Sequence, residues 1–252
     1  MQLMSTAHVT RHAVITGASS GIGAACALRL ARDSWDLTIG ARRLDRLQSV
    51  ASQSGAKAVP LDVTDTASVD GFCSAVPRCS LLVLCAGGAL GLDAVANADE
   101  RDWQEMWEVN VIGSLRMVQR LLPELIDSGD GQIVFMGSIA GHQPYPGGGG
   151  YNAAKFAVHA LRDVLRLELV GQPVRVTEIA PGMVKTDFSE VRFRGDRSRA
   201  DAVYAGVEAL TAEDIADCVA WVCSRPSHVN IDQLVIQPRD QADARTVHRR
   251  TE

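Results

Sequence analysis

The chain has 252 residues, 46% of them hydrophobic, with a formal net charge of −5 at pH 7. The apolar content supports a large core, and the acidic balance disfavours nucleic acid or an anionic membrane as a partner. Strand and helix patterns alternate to the end without a linker-like stretch, so a single domain over residues 1–252 is expected.

In chain order, Met1 to Arg11 carries no signal-like apolar core. Strands are expected near 13–16, 35–40, 57–61, 80–85, 132–137, 174–179 and 233–236, with helices between them. The longest helices are predicted over about 99–127 and 151–170. This pattern gives an α/β doubly wound parallel sheet of about seven strands with helices on both faces.

Ala13 to Thr16 is a short apolar run, Gly17 opens a turn, and Ile22 to Leu30 continues with helical spacing. A strand, a glycine-rich turn and a helix form a phosphate cradle, with free N–H groups and a positive dipole end facing the ligand. Gly17, Ser19, Ser20, Gly21, Ile22 and Gly23 are the candidate contacts. The spacing is G-x-x-x-G-x-G, and no Gly-Lys-Ser/Thr follows, which excludes a Walker loop. The second strand ends in Ala41-Arg42-Arg43. An acidic residue there would bind a ribose 2′-hydroxyl. A guanidinium instead grips a 2′-phosphate through paired hydrogen bonds. The reading is NADP(H), with Arg42 on the phosphate and Arg43 nearby or stacked on adenine. Asp62 and Val63 follow the third strand, where Asp62 can meet the adenine edge.

Leu81 to Leu92 reads as the fourth strand plus its loop; with three glycines it is too short to span a membrane. Asn110 should interrupt the first long helix, and Pro123 should bend or end it near its last turn. Trp103 and Trp107 share a face there, suited to core packing or a subunit contact. Ser138 closes the fifth strand, at the end where α/β sheets place ligands. His142 follows in a loop, where it can touch substrate or simply have no role. Gly147 to Gly150 either gives flexibility or lets a turn approach closely.

Tyr151 and Lys155 stand four residues apart on a predicted helix and so face the same way. Bringing a tyrosine from a pKa of about 10 to about 7 needs roughly 4 kcal/mol. One cation at about 4 Å gives roughly that at an effective dielectric near 20. The pair therefore suits an acid/base tyrosine beside an ammonium. The six cysteines form no Cys-x-x-Cys pair and no histidines cluster with them, so no metal is expected, and reduced thiols in a cytoplasmic protein are the simplest account.

These residues, in this order, resemble the short-chain dehydrogenase/reductase family over about His12 to Pro238. The resemblance implies a Rossmann-like fold. It implies Tyr151 as general acid/base, Lys155 as pKa modulator and ribose ligand, and Ser138 as the substrate-orienting hydroxyl. Asn110 would hold a water in a proton relay. Ala86, Gly87, Pro181 and Gly182 would contact the cofactor, and Val184 and Thr186 would meet the nicotinamide amide. The family's Asn-Ala-Gly reads Cys85-Ala86-Gly87 here, a change that bears on local stability. The last third looks like the NADP-dependent 3-hydroxy acid dehydrogenases, including serine 3-dehydrogenases. That likeness implies hydride transfer between NADP(H) and a 3-hydroxy acid, such as serine or 3-hydroxypropionate, or its 3-oxo form. A cation or several N–H donors should then stand in the substrate loop; Arg192 and Arg194 are candidates by composition alone. Other readings are a reductase of a 3-oxoacyl thioester or xenobiotic ketone, and an NADP sensor without turnover. Residues 186–208 would form a lid, and the arginine-rich arm over about 239–252 would reach across a neighbour in a homotetramer.

Overall fold

A computed structural model describes residues 11–250. The stretch before Arg11, where a signal would be sought, and the last two residues of the arm lie outside the described residues. The elements run β1 (His12–Thr16), α1 (Gly21–Arg32), β2 (Asp36–Ala41), α2 (Leu44–Ser54), β3 (Lys57–Pro60), α3 (Thr66–Ser74) and β4 (Leu81–Leu84). Then come α4 (Glu100–Trp107), α5 (Gly113–Asp127), β5 (Gly131–Met136), α6 (Gly149–Glu168) and β6 (Val174–Pro181). α7 (Phe188–Arg192), α8 (Arg197–Tyr204), α9 (Ala212–Cys223) and β7 (Gln233–Ile236) complete the described chain.

All seven strands pair in parallel in one sheet, ordered β3-β2-β1-β4-β5-β6-β7. β1, β4, β5 and β6 are buried along their whole length, and the cores of β1, β4 and β5 read as continuous apolar runs, whereas β6 carries the buried polar residues Arg175, Thr177 and Glu178. One face packs against α1, α2 and α9 through Leu30, Leu47 and Val219. The other packs against α3, α5 and α6 through Phe72, Leu121 and Val158. Helix starts are set by local chemistry: Asp65 and Asp99 accept N–H bonds at the caps of α3 and α4, and Thr211 and Asp214 form a capping box on α9.

Asn110 does interrupt the long helix. Residues Glu108–Ile112 form a π-turn between α4 and α5. Pro123 does not end the helix, which continues to Asp127. The lost N–H falls on the exposed side of the last turn, while Leu121 and Leu125 beside it are buried, so packing outweighs one missing hydrogen bond.

The order of strands reverses between β1 and β4. The carboxyl ends of the strands on either side of that point open a crevice, the usual ligand position in such sheets.

Candidate active site

A cavity of about 460 Å³ occupies this crevice. Of the predicted catalytic and cofactor residues, all line it except Asn110. The cradle is shaped by close backbone approach. Gly17 has φ +67°, and a Cβ there would stand 2.8 Å from the Ala86 backbone nitrogen. Only glycine satisfies both demands, so the turn after β1 can lie against the end of β4. Thr16 Oγ1 accepts the Ala86 N–H at 3.0 Å and ties the same two strands. Cys85, where the family has asparagine, packs instead into the core cluster that holds Cys26.

Arg43 donates to Ser19 Oγ at 3.3 Å and to Ser20 Oγ at 2.5 Å, so the second strand's turn is fastened to the cradle. Arg42 lines the same rim. Burial works against the charge of Asp62, but hydrogen bonds from Thr64 and the nearby Arg42 leave its carboxyl below the ordinary range.

Asn110 sits behind the cavity wall. Its Nδ2 donates to the Gly88 and Met106 carbonyls at 2.9 and 2.7 Å, and its Oδ1 accepts the Gly88 N–H at 3.3 Å. A Cβ on Gly87 would stand 2.5 Å from that oxygen and 3.7 Å from Lys155 Nζ. The π-turn thus brings Asn110, the β4 loop and Lys155 together.

Tyr151 is buried in a small apolar chamber with Ala89, Met106 and Ala140. Phe188 of α7 meets its ring edge-on at 5.4 Å. Burial pushes the phenol well above its ordinary pKa, Tyr145 adds to the rise, and Ser138 and Arg192 oppose it. Lys155 Nζ donates to the Met136 carbonyl at 2.8 Å and lies 5.7 Å from the centre of the Tyr151 ring. Burial lowers Lys155 to about 8, with Glu178 and Cys85 opposing the fall. Ser138 Oγ accepts the Ala140 N–H at 3.1 Å, which fixes its hydroxyl at the end of β5.

Gly147 to Gly150 serves close approach. Cβ atoms on Gly148 and Gly149 would strike the Tyr145 ring and, at 2.7 Å, the Trp103 ring. Trp103 therefore packs inward, whereas Trp107 is exposed.

Sequence composition did not separate the two candidate loop cations, and the structure does. Arg194 points outward and pairs with Asp102 at 2.6 Å. Arg192 lines the cavity, donates to the Gly91 carbonyl at 2.8 Å and to Tyr145 Oη at 3.0 Å, and lies 6.0 Å from the Tyr151 ring centre. Tyr145 was not a predicted site residue; its only signal is an aromatic in the loop just before the glycine run.

Residues 186–208 fold as α7 and α8 over the cavity. Ser189 Oγ and Tyr204 Oη lie 2.9 Å apart, and Tyr204 donates to the Val184 carbonyl at 2.9 Å. Within this chain, the arm after Pro238 lies along its own subunit. Gln241 is buried and accepts the Met183 N–H at 2.8 Å, and Arg249 donates to the Val203 and Ala205 carbonyls. Ala244 becomes part of the cavity wall. Among the described residues no helix is long and apolar enough to cross a membrane.

The family model for short chain dehydrogenases matches residues 11–196. The chain belongs to the short-chain dehydrogenase/reductase family. It is 56% identical over 93% of its length to an uncharacterised oxidoreductase of Mycobacterium tuberculosis, with 93% of that protein covered. It is 42% identical to a sulfoacetaldehyde reductase of Chromohalobacter salexigens, over 90% of this chain and 94% of that one. The closed form of a serine dehydrogenase complexed with NADP+ superposes with a TM-score of 0.90 at 36% identity, covering 95% of this chain and 100% of that one. Within the family, the chain is similar to the serine 3-dehydrogenases and 3-hydroxy acid dehydrogenases.

Proposed function

We propose that this oxidoreductase interconverts a 3-hydroxy acid and its 3-oxo form with NADP(H). The observation that carries the reading is Arg192, a guanidinium held by Gly91 and Tyr145 in the same cavity as the Tyr151 phenol. A substrate whose carbinol carbon is one carbon away from a carboxylate fits that pairing. The anion would meet Arg192 while the oxygen meets Tyr151 and Ser138. The named relatives favour the same skeleton, since serine and sulfoacetaldehyde both carry an anionic group one carbon from the reacting centre. A sulfonate in place of the carboxylate is therefore the second reading.

The residues fit a dinucleotide phosphate. Gly17 leaves room at the cradle that a Cβ would fill, and Arg42 and Arg43 border the rim beside Ser19 and Ser20. Gly21, Ile22 and Gly23 would offer N–H groups to the pyrophosphate. Asp62 and Val63 would face adenine, and Ala86, Gly87 and Lys155 the ribose. Pro181, Gly182, Val184 and Thr186 would border the nicotinamide. When bound, the nicotinamide supplies or accepts the hydride.

Tyr151 moves the proton. Burial keeps its phenol protonated, so it is ready to donate to a carbonyl oxygen as reduction proceeds, and it takes the proton back in oxidation. Ser138 holds that oxygen, and Lys155, charged at neutral pH, stabilises the phenolate left behind. Asn110 fixes the wall beside Lys155 as a positioning residue. Residues 186–208 act as a lid that excludes water, with Phe188 against the phenol.

The test is turnover of L-serine, 3-hydroxypropionate, 2-hydroxyethanesulfonate and 2-propanol with NADP+ and NAD+, followed by nicotinamide absorbance. We expect the anionic substrates to be favoured with NADP+, and Arg192→Gln to lower kcat/KM for them about tenfold to hundredfold while sparing 2-propanol. Equal turnover of the neutral alcohol, with Arg192→Gln inert, would move the function to a general carbonyl reductase.

A further inference from the structure

We propose that His142, His159 and Glu178 form a binding site for a divalent transition metal of the zinc type, separate from the cofactor cavity. The three residues come from three elements: the loop after β5, helix α6 and strand β6. Their potential ligand atoms lie within 4.8 Å of one another. Zinc takes imidazole nitrogen and carboxylate oxygen at about 2.0–2.2 Å, so ligands on its tetrahedron stand roughly 3.3–3.6 Å apart. His142 Nε2 is 3.3 Å from one Glu178 oxygen and His159 Nδ1 is 2.7 Å from the other. Small side-chain rotations bring the set to that spacing.

Two further observations point to a cation. The Gln233 amide nitrogen lies 2.7 Å from His142 Nε2; in the tautomer that accepts this bond, Nε2 carries no proton, and its lone pair becomes free for a metal once Gln233 swings aside. Nε2 then faces Glu178 Oε1 at 3.3 Å, acceptor against acceptor, an arrangement a cation relieves. The second is the outer partner of His159. Its Nε2 lies 3.4 Å from Asp163 Oδ2, the carboxylate–histidine pairing that orients a metal-ligating imidazole. Arg162 Nη2 stands 3.4 Å from both Glu178 Oε2 and His159 Nδ1, the place a metal would take, and Nη1 pairs with Asp163 at 2.6 Å, so a bound metal would displace Nη2 while the Asp163 pair holds. One guanidinium against two carboxylates still leaves one net negative charge for a dication. Lys155, one turn earlier on α6, turns away to the Met136 carbonyl.

The site has an entry path. Glu178 is fully buried, but the His142 and His159 side chains are 23% and 28% exposed. None of the three lines the cofactor cavity. Water would complete the coordination. A metal there would join β5's loop, α6 and β6 directly behind Ser138, because Glu178 lies against Gly137.

The test is a ZnCl2 titration of the full, chelator-treated protein by calorimetry and thermal unfolding, with MgCl2 as the control. We expect one saturable equivalent of Zn2+, a raised Tm and no response to Mg2+. Binding should be lost in His142→Ala and His159→Ala, and weakened about tenfold to hundredfold in Asp163→Asn, which removes no ligand. NADPH affinity should be unaffected, which separates this result from the proposed reaction. Absence of saturable Zn2+ binding overturns the proposal. So does binding that persists in both histidine variants, which would place the ion on the cysteines. Should an alanine variant fail to fold, visible absorption of Co2+ bound to the unaltered protein decides. Nitrogen–oxygen tetrahedral bands support the site, and a spectrum of free aqueous Co2+ sinks it.

Discussion

Tyr151 and Lys155 share one face of α6 yet respond to the interior in opposite ways. Desolvation penalises whichever form is charged, so it raises the phenol and lowers the ammonium. Lys155 falls from 10.5 to about 8, and the phenol remains protonated throughout that range. The sign for catalysis follows. Below about 8 Lys155 carries its charge, and above it the charge is lost, so kcat/KM for carbonyl reduction should fall as pH rises through about 8. A pH profile with NADPH checks this, and an unchanged rate well above that value would remove Lys155 from the electrostatics of the step. Tyr151→Phe should lower kcat about a hundredfold or more while leaving NADPH binding nearly unchanged. The Tyr–Lys pair was legible in the sequence because helical spacing alone puts both on one side. Their separation was not, since it depends on Met136, a residue from another strand, offering its carbonyl to the ammonium.

At the scale of elements, the turn after β2 decides cofactor choice. Arg43 is already fastened to Ser19 and Ser20, whereas Arg42 makes no hydrogen bond or ion pair among the described residues. Arg42→Ala should therefore weaken NADPH about tenfold to hundredfold and NADH far less, measured by fluorescence titration. Equal losses for both would show that Arg42 does not read the 2′-phosphate. The strands were legible because a parallel sheet covered on both faces demands apolar runs, and the cradle was legible because a strand followed at once by glycines admits few geometries. Arg192 was not separable from Arg194 by composition. Which of two loop arginines turns inward is set by Gly91 and Tyr145, about a hundred and about fifty residues away in the chain. His142 carried no signal for the same reason, because Glu178 and Gln233 reach it only through the sheet.

Across the whole molecule, the cavity is assembled from both ends of the chain. The floor comes from the turn after β1, and part of the wall from the arm after Pro238, through Gln241 and Ala244. Ending the chain at Pro238 would strip the half-buried Met183 N–H of its partner, a loss of about 1 kcal/mol. We expect NADPH binding to weaken about fivefold to hundredfold and Tm to fall, with β-sheet circular dichroism retained. Full affinity in the shortened chain would show that the arm does not complete the cavity.

That division of labour has a consequence for synthesis. Domains generally fold as units, beginning from the N-terminal end while the ribosome is still working. The glycine turn after β1 is made near the start, but the strand that flanks it, β4, emerges some sixty-five residues later, and Gln241 later still. A nascent chain therefore carries an unflanked phosphate cradle until β4 is made and an incomplete cavity wall until Gln241 is, and a message truncated before Gln241 yields a protein that has its chemistry in place but an unfinished wall.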